Sequence, residues 1–83
     1  MEEKKHYVYM LKCKNGSLYT GWTTDLQARI KAHNRGVGAK YTRSHRPVEL
    51  AYYEILENRS EALKREAQIK KMSRMEKLLL IQK

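Results

Sequence analysis

From His6 to Cys13 (HYVYMLKC) the residues alternate in character and are rich in Tyr and Val, and residues 17 to 22 do the same. Runs of period two with this composition predict strands. Between them lies Lys14-Asn15-Gly16, the signal for a tight antiparallel hairpin. The period then changes. Thr24-Asp25-Leu26-Gln27 reads as a capping box, with Thr24 as N-cap and Gln27 reaching back, and opens a helix that stops near Gly36. Leu26 and Ile30 form its apolar stripe. Residues 36–47 are polar and punctuated by glycine, which predicts a loop. Val48 to Leu56 then reads as a third strand, which Pro47 can only begin. Ser60 caps a second helix to about Lys71, and Ser73 with Glu76 repeats the capping-box pattern ahead of a short final helix.

The predicted order is β-β-α-β-α-α, an α+β class in which a small antiparallel sheet gains stability only when helices cover its apolar face. Eighty-three residues suffice for one small domain, spanning residues 1–83, so binding and chemistry have to share a site.

The formal net charge of +9 favours polyanionic partners, nucleic acid ahead of anionic membrane. Leu78-Leu79-Leu80-Ile81 is far too short to span a bilayer, and Glu2-Glu3-Lys4-Lys5 leads straight into a strand rather than into a signal peptide. A cytoplasmic protein is expected. The lone Cys13 fits that placement, since it offers neither an internal disulfide nor a cysteine zinc site, and it is expected to be a small buried hydrophobe.

Four groups of residues can carry chemistry. Along the helix opened by Ser60, Ala62, Leu63 and Ile69 fall on one side, and Glu66 falls inside the same arc. A carboxylate directed at a core needs a compensating cation: a metal ion, Arg29 or a lysine such as Lys70. Arg29 and His33, four apart, share one face of the first helix. A guanidinium there suits a phosphate and the charge that develops on it during displacement, and an imidazole suits proton transfer near neutral pH. A solvated basic face would have the same spacing.

Tyr9 and Tyr19 lie on strands expected to pair, with rings on a common side, where packing alone could also place them. Tyr19 becomes a base at neutral pH only if cations stabilise its phenolate. Between Leu26 and Val48 stand Arg29, Lys31, Arg35, Lys40, Arg43 and Arg46, with His33 and His45 and no acid. This stretch is expected to grip a nucleic-acid backbone with little sequence preference, and Tyr41 to stack on a base or anchor the loop.

Taken in order, Tyr7-Val8-Tyr9, Tyr19-Thr20-Gly21, the arginine ten residues past Tyr19, the histidine one turn later and the glutamate in Arg65-Glu66-Ala67 resemble the GIY-YIG nuclease superfamily, specifically its small single-domain bacterial members. The resemblance runs from about His6 to Lys71. It departs at Tyr7, where the family name has glycine, and at Trp22, where some DNA-repair relatives carry lysine.

The resemblance implies a three-stranded antiparallel sheet flanked by helices, and hydrolysis of DNA phosphodiesters with one divalent ion, Mg²⁺ or Mn²⁺. It further implies Glu66 as the metal ligand and Arg29 as the transition-state stabiliser. Tyr19 would be the general base or water-orienting group, supported by Tyr9, and His33 the second candidate base. DNA contacts are expected from Lys31, Arg35, Lys40, Tyr41, Arg43 and Arg46. Superfamily members usually draw DNA affinity and target choice from an attached domain, so cleavage here is expected to be weak, structure-selective or dependent on a protein partner that supplies target specificity. The expected function is a DNA endonuclease module for repair or for processing damaged or branched DNA. The alternative is a nucleic-acid-binding domain that keeps the fold without useful catalysis.

Overall fold

A computed structural model describes residues 4–82 of the chain. Its elements are β1 (His6–Lys12), β2 (Leu18–Thr23), α1 (Leu26–Asn34), α2 (Lys40–Arg43), β3 (Glu49–Leu56), α3 (Arg59–Lys70) and α4 (Arg74–Ile81). The three strands form one antiparallel sheet in the order β2-β1-β3. The α+β class, the antiparallel sheet and the flanking helices are as the sequence predicted; the added element is the single turn α2 inside the expected loop.

The hairpin closes as its sequence demands. Gly16 adopts a φ of 85°, in the left-handed region that glycine enters without steric penalty, and the Asn15 side chain accepts from both the amide and the hydroxyl of Ser17. The central strand β1 is buried on both faces. Val8 and Met10 pack with Ala62 and Ile69 of α3, joined by Trp22, Tyr52, Leu56 and residues of α4. Tyr9, Leu11 and Cys13 point the other way, against Val48, Tyr19 and the Leu26 and Ile30 stripe of α1. The sheet is thus a middle layer, and Cys13 is the buried hydrophobe expected of it.

The helix ends refine the prediction. α1 is capped by Asp25, whose carboxylate accepts from the Ala28 amide at 3.1 Å, and not by Thr24. Thr23 Oγ1 takes the Asp25 amide instead, holding the chain extended one residue longer. Its other end closes at Gly36, where Gly36 N–H donates to His33 O and Val37 N–H to Ala32 O. This pattern needs the left-handed φ of 86° found at Gly36. α3 starts ahead of Ser60, because Asn58 caps it by accepting from the Glu61 amide at 2.9 Å. Ser73 and Glu76 form the reciprocal capping box as predicted.

One polar clamp fixes α3 against the sheet. Arg65 donates from Nε to Glu54 Oε1 and from Nη2 to Glu54 Oε2, each at 2.8 Å, and Tyr52 donates to the same carboxylate. A two-pronged guanidinium–carboxylate pair sets the rotation of the helix as well as its distance. It thereby presents the next residue, Glu66, at a defined angle. Leu63, expected on the buried side, is 41% exposed, because the stripe that meets the sheet runs through Ala62 and Ile69.

Candidate active site

The hairpin register places Tyr9 opposite Gly21 and Leu11 opposite Tyr19, so both tyrosines project from the α1 face of the sheet. His33 of α1 meets them edge-on, with ring centroids 5.9 Å from Tyr9 and 5.2 Å from Tyr19. Gly21 makes room for the Tyr9 phenol: a Cβ there would lie 2.6 Å from Tyr9 Oη and 2.8 Å from Cζ. Gly38 does the same for the imidazole, since a Cβ at that position would lie 2.6 Å from His33 Cγ.

His33 is fully buried and engaged through both ring nitrogens. Nε2 is 2.9 Å from Tyr9 Oη and Nδ1 is 2.7 Å from Thr42 Oγ1. Burial and the nearby Arg29 charge hold its pKa below the usual histidine value, so it is neutral at physiological pH. This differs from the expected role of His33 as a water-activating base, because no ring nitrogen is left for a water. Thr42 and Gly38, on which the arrangement depends, carry no sequence signal beyond belonging to a polar, glycine-containing stretch.

Arg29, on the same face of α1, donates from Nη2 to Gly38 O at 2.9 Å. Around Tyr9 the electrostatics of the site converge. Burial pushes its pKa up, the neighbouring Arg29 guanidinium pulls it down, and negative charge on Tyr19 and Glu66 pushes it up further. Residues from β1, β2, α1 and α3 therefore act on one phenol.

Glu66 is 18% exposed at its side chain, and its ionic partner is Lys70, 3.4 Å away on the next turn. The compensating cation is thus a lysine of the same helix; Arg29 is directed to Gly38 O instead. Among the described residues no three His, Cys, Asp or Glu gather as a metal-binding cluster. A single hard carboxylate whose partner is a solvated lysine fits Mg²⁺ or Mn²⁺, ions that retain waters and share their coordination with substrate phosphate.

The basic residues divide into two sets. Lys40, Arg43 and Arg46 are exposed on α2 and the segment after it. Arg46 is also tied into the loop, donating from Nε to Arg43 O at 3.1 Å and from Nη1 to Asn34 O at 3.4 Å. Lys31 lies about 200° around the helix from Arg29, at 100° per residue, on its exposed side, whereas the exposed Arg35 closes α1 between Asn34 and Gly36, the two residues that Arg46 approaches. Tyr41 is 43% exposed and forms a column, parallel to Tyr19 (6.5 Å) and to His45 (4.4 Å), with its hydroxyl donating to Ser17 Oγ at 2.7 Å. Among the described residues, no helix is long and apolar enough to cross a membrane.

Comparison with known proteins identifies the family. The family model described as the GIY-YIG catalytic domain matches residues 5–78. The chain is 62% identical over 76 residues to UPF0213 protein CPE1444 of Clostridium perfringens, covering 92% of this chain and 82% of that one. It is 58% identical over 77 residues to UPF0213 protein SSP2268 of Staphylococcus saprophyticus, covering 93% and 94%. Among solved structures, the solution NMR structure of UPF0213 protein BH0048 from Bacillus halodurans superposes with a TM-score of 0.61 at 46% identity, over 94% of this chain and 83% of that one. That of protein EF2693 from E. faecalis gives 0.62 at 47% identity, over 92% and 81%. With a family match over nearly its whole length and curated relatives covering more than nine-tenths of it, the chain belongs to the GIY-YIG nuclease superfamily, alongside the small bacterial UPF0213 proteins.

Proposed function

We propose that this protein is a divalent-metal-dependent DNA endonuclease that hydrolyses phosphodiester bonds in damaged or branched DNA in the cytoplasm, with target choice supplied by a protein partner. The observation that carries this reading is the packing of Tyr9 and Tyr19 against His33 on the face of α1 that also bears Arg29, in a chain matched over residues 5–78 by the GIY-YIG catalytic domain.

Glu66 would hold one Mg²⁺ or Mn²⁺, which when bound acts as a Lewis acid on the phosphoryl oxygen and the leaving group. Arg29 is oriented by Gly38 O through one nitrogen, leaving its other N–H groups for a phosphate that gains negative charge as water attacks. Tyr19, half-buried on the open side of His33, receives or orients the proton of the attacking water. Tyr9 is buried and supports this group from beneath. Lys40 and Arg43 neutralise backbone phosphates beyond the scissile one, and Tyr41 offers a ring face to a base.

The test is incubation of the purified protein with Mg²⁺ or Mn²⁺ on single-stranded, duplex and branched DNA, alongside Glu66→Gln and Arg29→Ala. Cleavage by the wild type that both substitutions abolish is the expected result. A wild type that nicks no DNA, or a Glu66→Gln protein that cuts equally well, overturns the enzymatic reading. Salt-sensitive binding retained by all three proteins without cleavage would favour a binding domain of the same fold.

A further inference from the structure

The buried hydrogen bonds around His33 determine where each proton sits. Tyr9 is 1% exposed, and His33 Nε2 is the partner of its oxygen among the described hydrogen bonds. Arg29, also beside that phenol, can only donate. The Tyr9 hydroxyl hydrogen therefore has one place to go, the Nε2 lone pair; a hydrogen on Nε2 would leave a buried O–H without an acceptor.

With Nε2 bare, the neutral ring carries its hydrogen on Nδ1 and donates it to Thr42 Oγ1 at 2.7 Å. Thr42, itself fully buried, passes its own hydroxyl hydrogen to Ala39 O at 3.1 Å. Every donor in the chain from Tyr9 to Ala39 then meets an acceptor, and reversing any one bond leaves a buried donor unmatched.

We propose that Thr42 is a positioning residue of this site: by accepting from His33 Nδ1 it fixes the imidazole tautomer, commits the Tyr9 hydrogen inward and leaves the Tyr9 oxygen lone pairs to orient the Arg29 guanidinium. Thr42 is far along the chain from either tyrosine and reaches the site only because α2 packs beside α1. Arg29 is anchored at Gly38 O, and its charge acts on the Tyr9 phenol to lower its pKa against the effect of burial. The consequence for catalysis rests on the endonuclease reading above; the tautomer assignment does not.

The test measures the two separately. Long-range ¹H–¹⁵N correlation spectra of the imidazoles in the uncomplexed protein at neutral pH are expected to report His33 as the Nδ1–H tautomer. Thr42→Val, which removes the hydroxyl at nearly constant volume, is expected to introduce the Nε2–H form and to lower kcat about tenfold with KM for DNA little changed. Thr42→Ser, which keeps the hydroxyl, should restore both the tautomer and most of the rate. An Nε2–H signal in the wild type overturns the inference, as does a Thr42→Val protein with an unaltered tautomer and rate. Should Thr42→Val not fold, the wild-type tautomer and the Thr42→Ser spectrum still decide it. A wild type that cuts no DNA removes the catalytic role of Thr42 while leaving the tautomer assignment to be judged by the spectra.

Discussion

Gly21 stands directly across the β1–β2 ladder from Tyr9, and a methyl group on it would lie 2.6 Å from the Tyr9 phenol oxygen. The glycine of the second triplet is therefore the space into which the tyrosine of the first is folded. Gly21→Ala is expected to destabilise the protein by about 1–3 kcal/mol through overpacking, and to impair cleavage by displacing Tyr9 from His33. Since part of the clash is with the hydroxyl, the same substitution should be less damaging in a Tyr9→Phe background. Urea unfolding of the four proteins of this cycle measures the coupling; strict additivity would refute the steric account.

The Arg65–Glu54 clamp is expected to matter more than an exposed ion pair, because its side chains are only 26% and 21% exposed. Arg65→Met should lower stability by about 1–3 kcal/mol by leaving a half-buried carboxylate unpaired. Glu54 is held below the usual glutamate pKa, chiefly by its hydrogen bonds from Arg65, against the opposing pull of burial. A depressed folded pKa contributes stability that is fully present above the unfolded value of about 4.3 and is lost as pH falls through the folded one. Wild-type stability should thus decline more steeply than that of Arg65→Met below about pH 4, as followed by chemical denaturation across an acid series.

His33 makes a second contribution at higher pH. Its folded pKa is lowered, first by burial and then by the Arg29 charge, so unfolding at mildly acid pH takes up a proton that the folded ring refuses. The stability it confers is complete above the ordinary histidine pKa of about 6.5 and is lost as pH drops from there towards the folded value. Replacing it by glutamine should flatten that part of the pH–stability curve. A His33→Gln protein with the wild-type slope between about pH 6.5 and 5 would contradict a buried, neutral imidazole.

Lys40, Arg43 and Arg46 are all exposed, yet their removal is expected to have different consequences. Lys40→Ala and Arg43→Ala should weaken DNA binding alike across sequences and each reduce the salt slope of log K by about one, with little effect on folding. Arg46→Ala should in addition loosen the loop, because its guanidinium binds the carbonyls of Arg43 and Asn34. Lys31→Ala, on the far side of α1 from Arg29, should leave affinity almost unchanged. Fluorescence anisotropy titrations at several salt concentrations, paired with thermal unfolding, separate these effects; a large affinity loss for Lys31→Ala would mean that DNA also contacts the outer face of α1.

The strands, the hairpin turn, the Ser73–Glu76 capping box and the end of α1 at Gly36 were legible in the chain because each depends on residues within a few positions of one another. So was the placement of Tyr9 and Tyr19 at neighbouring positions on one face of the hairpin, since an Asn15-Gly16 turn brings strands of this length into a shared register. Local signals were weaker where two capping residues competed: Asp25 and Asn58 hold the helix starts in place of Thr24 and Ser60, a choice made by how the extended chain enters each helix. The partner of Glu66 also lay within one helix, yet choosing Lys70 over Arg29 required the orientation that the Arg65–Glu54 clamp gives to α3. Burial of both faces of β1 could not be read from its alternation, because it comes from helices packing on opposite sides of the sheet. Least legible were Thr42 and Gly38. Their contacts join α1 to the segment after it, and a hydrogen-bond chain closed by packing leaves no period or spacing in the sequence, only donors and acceptors that must be matched once water is gone.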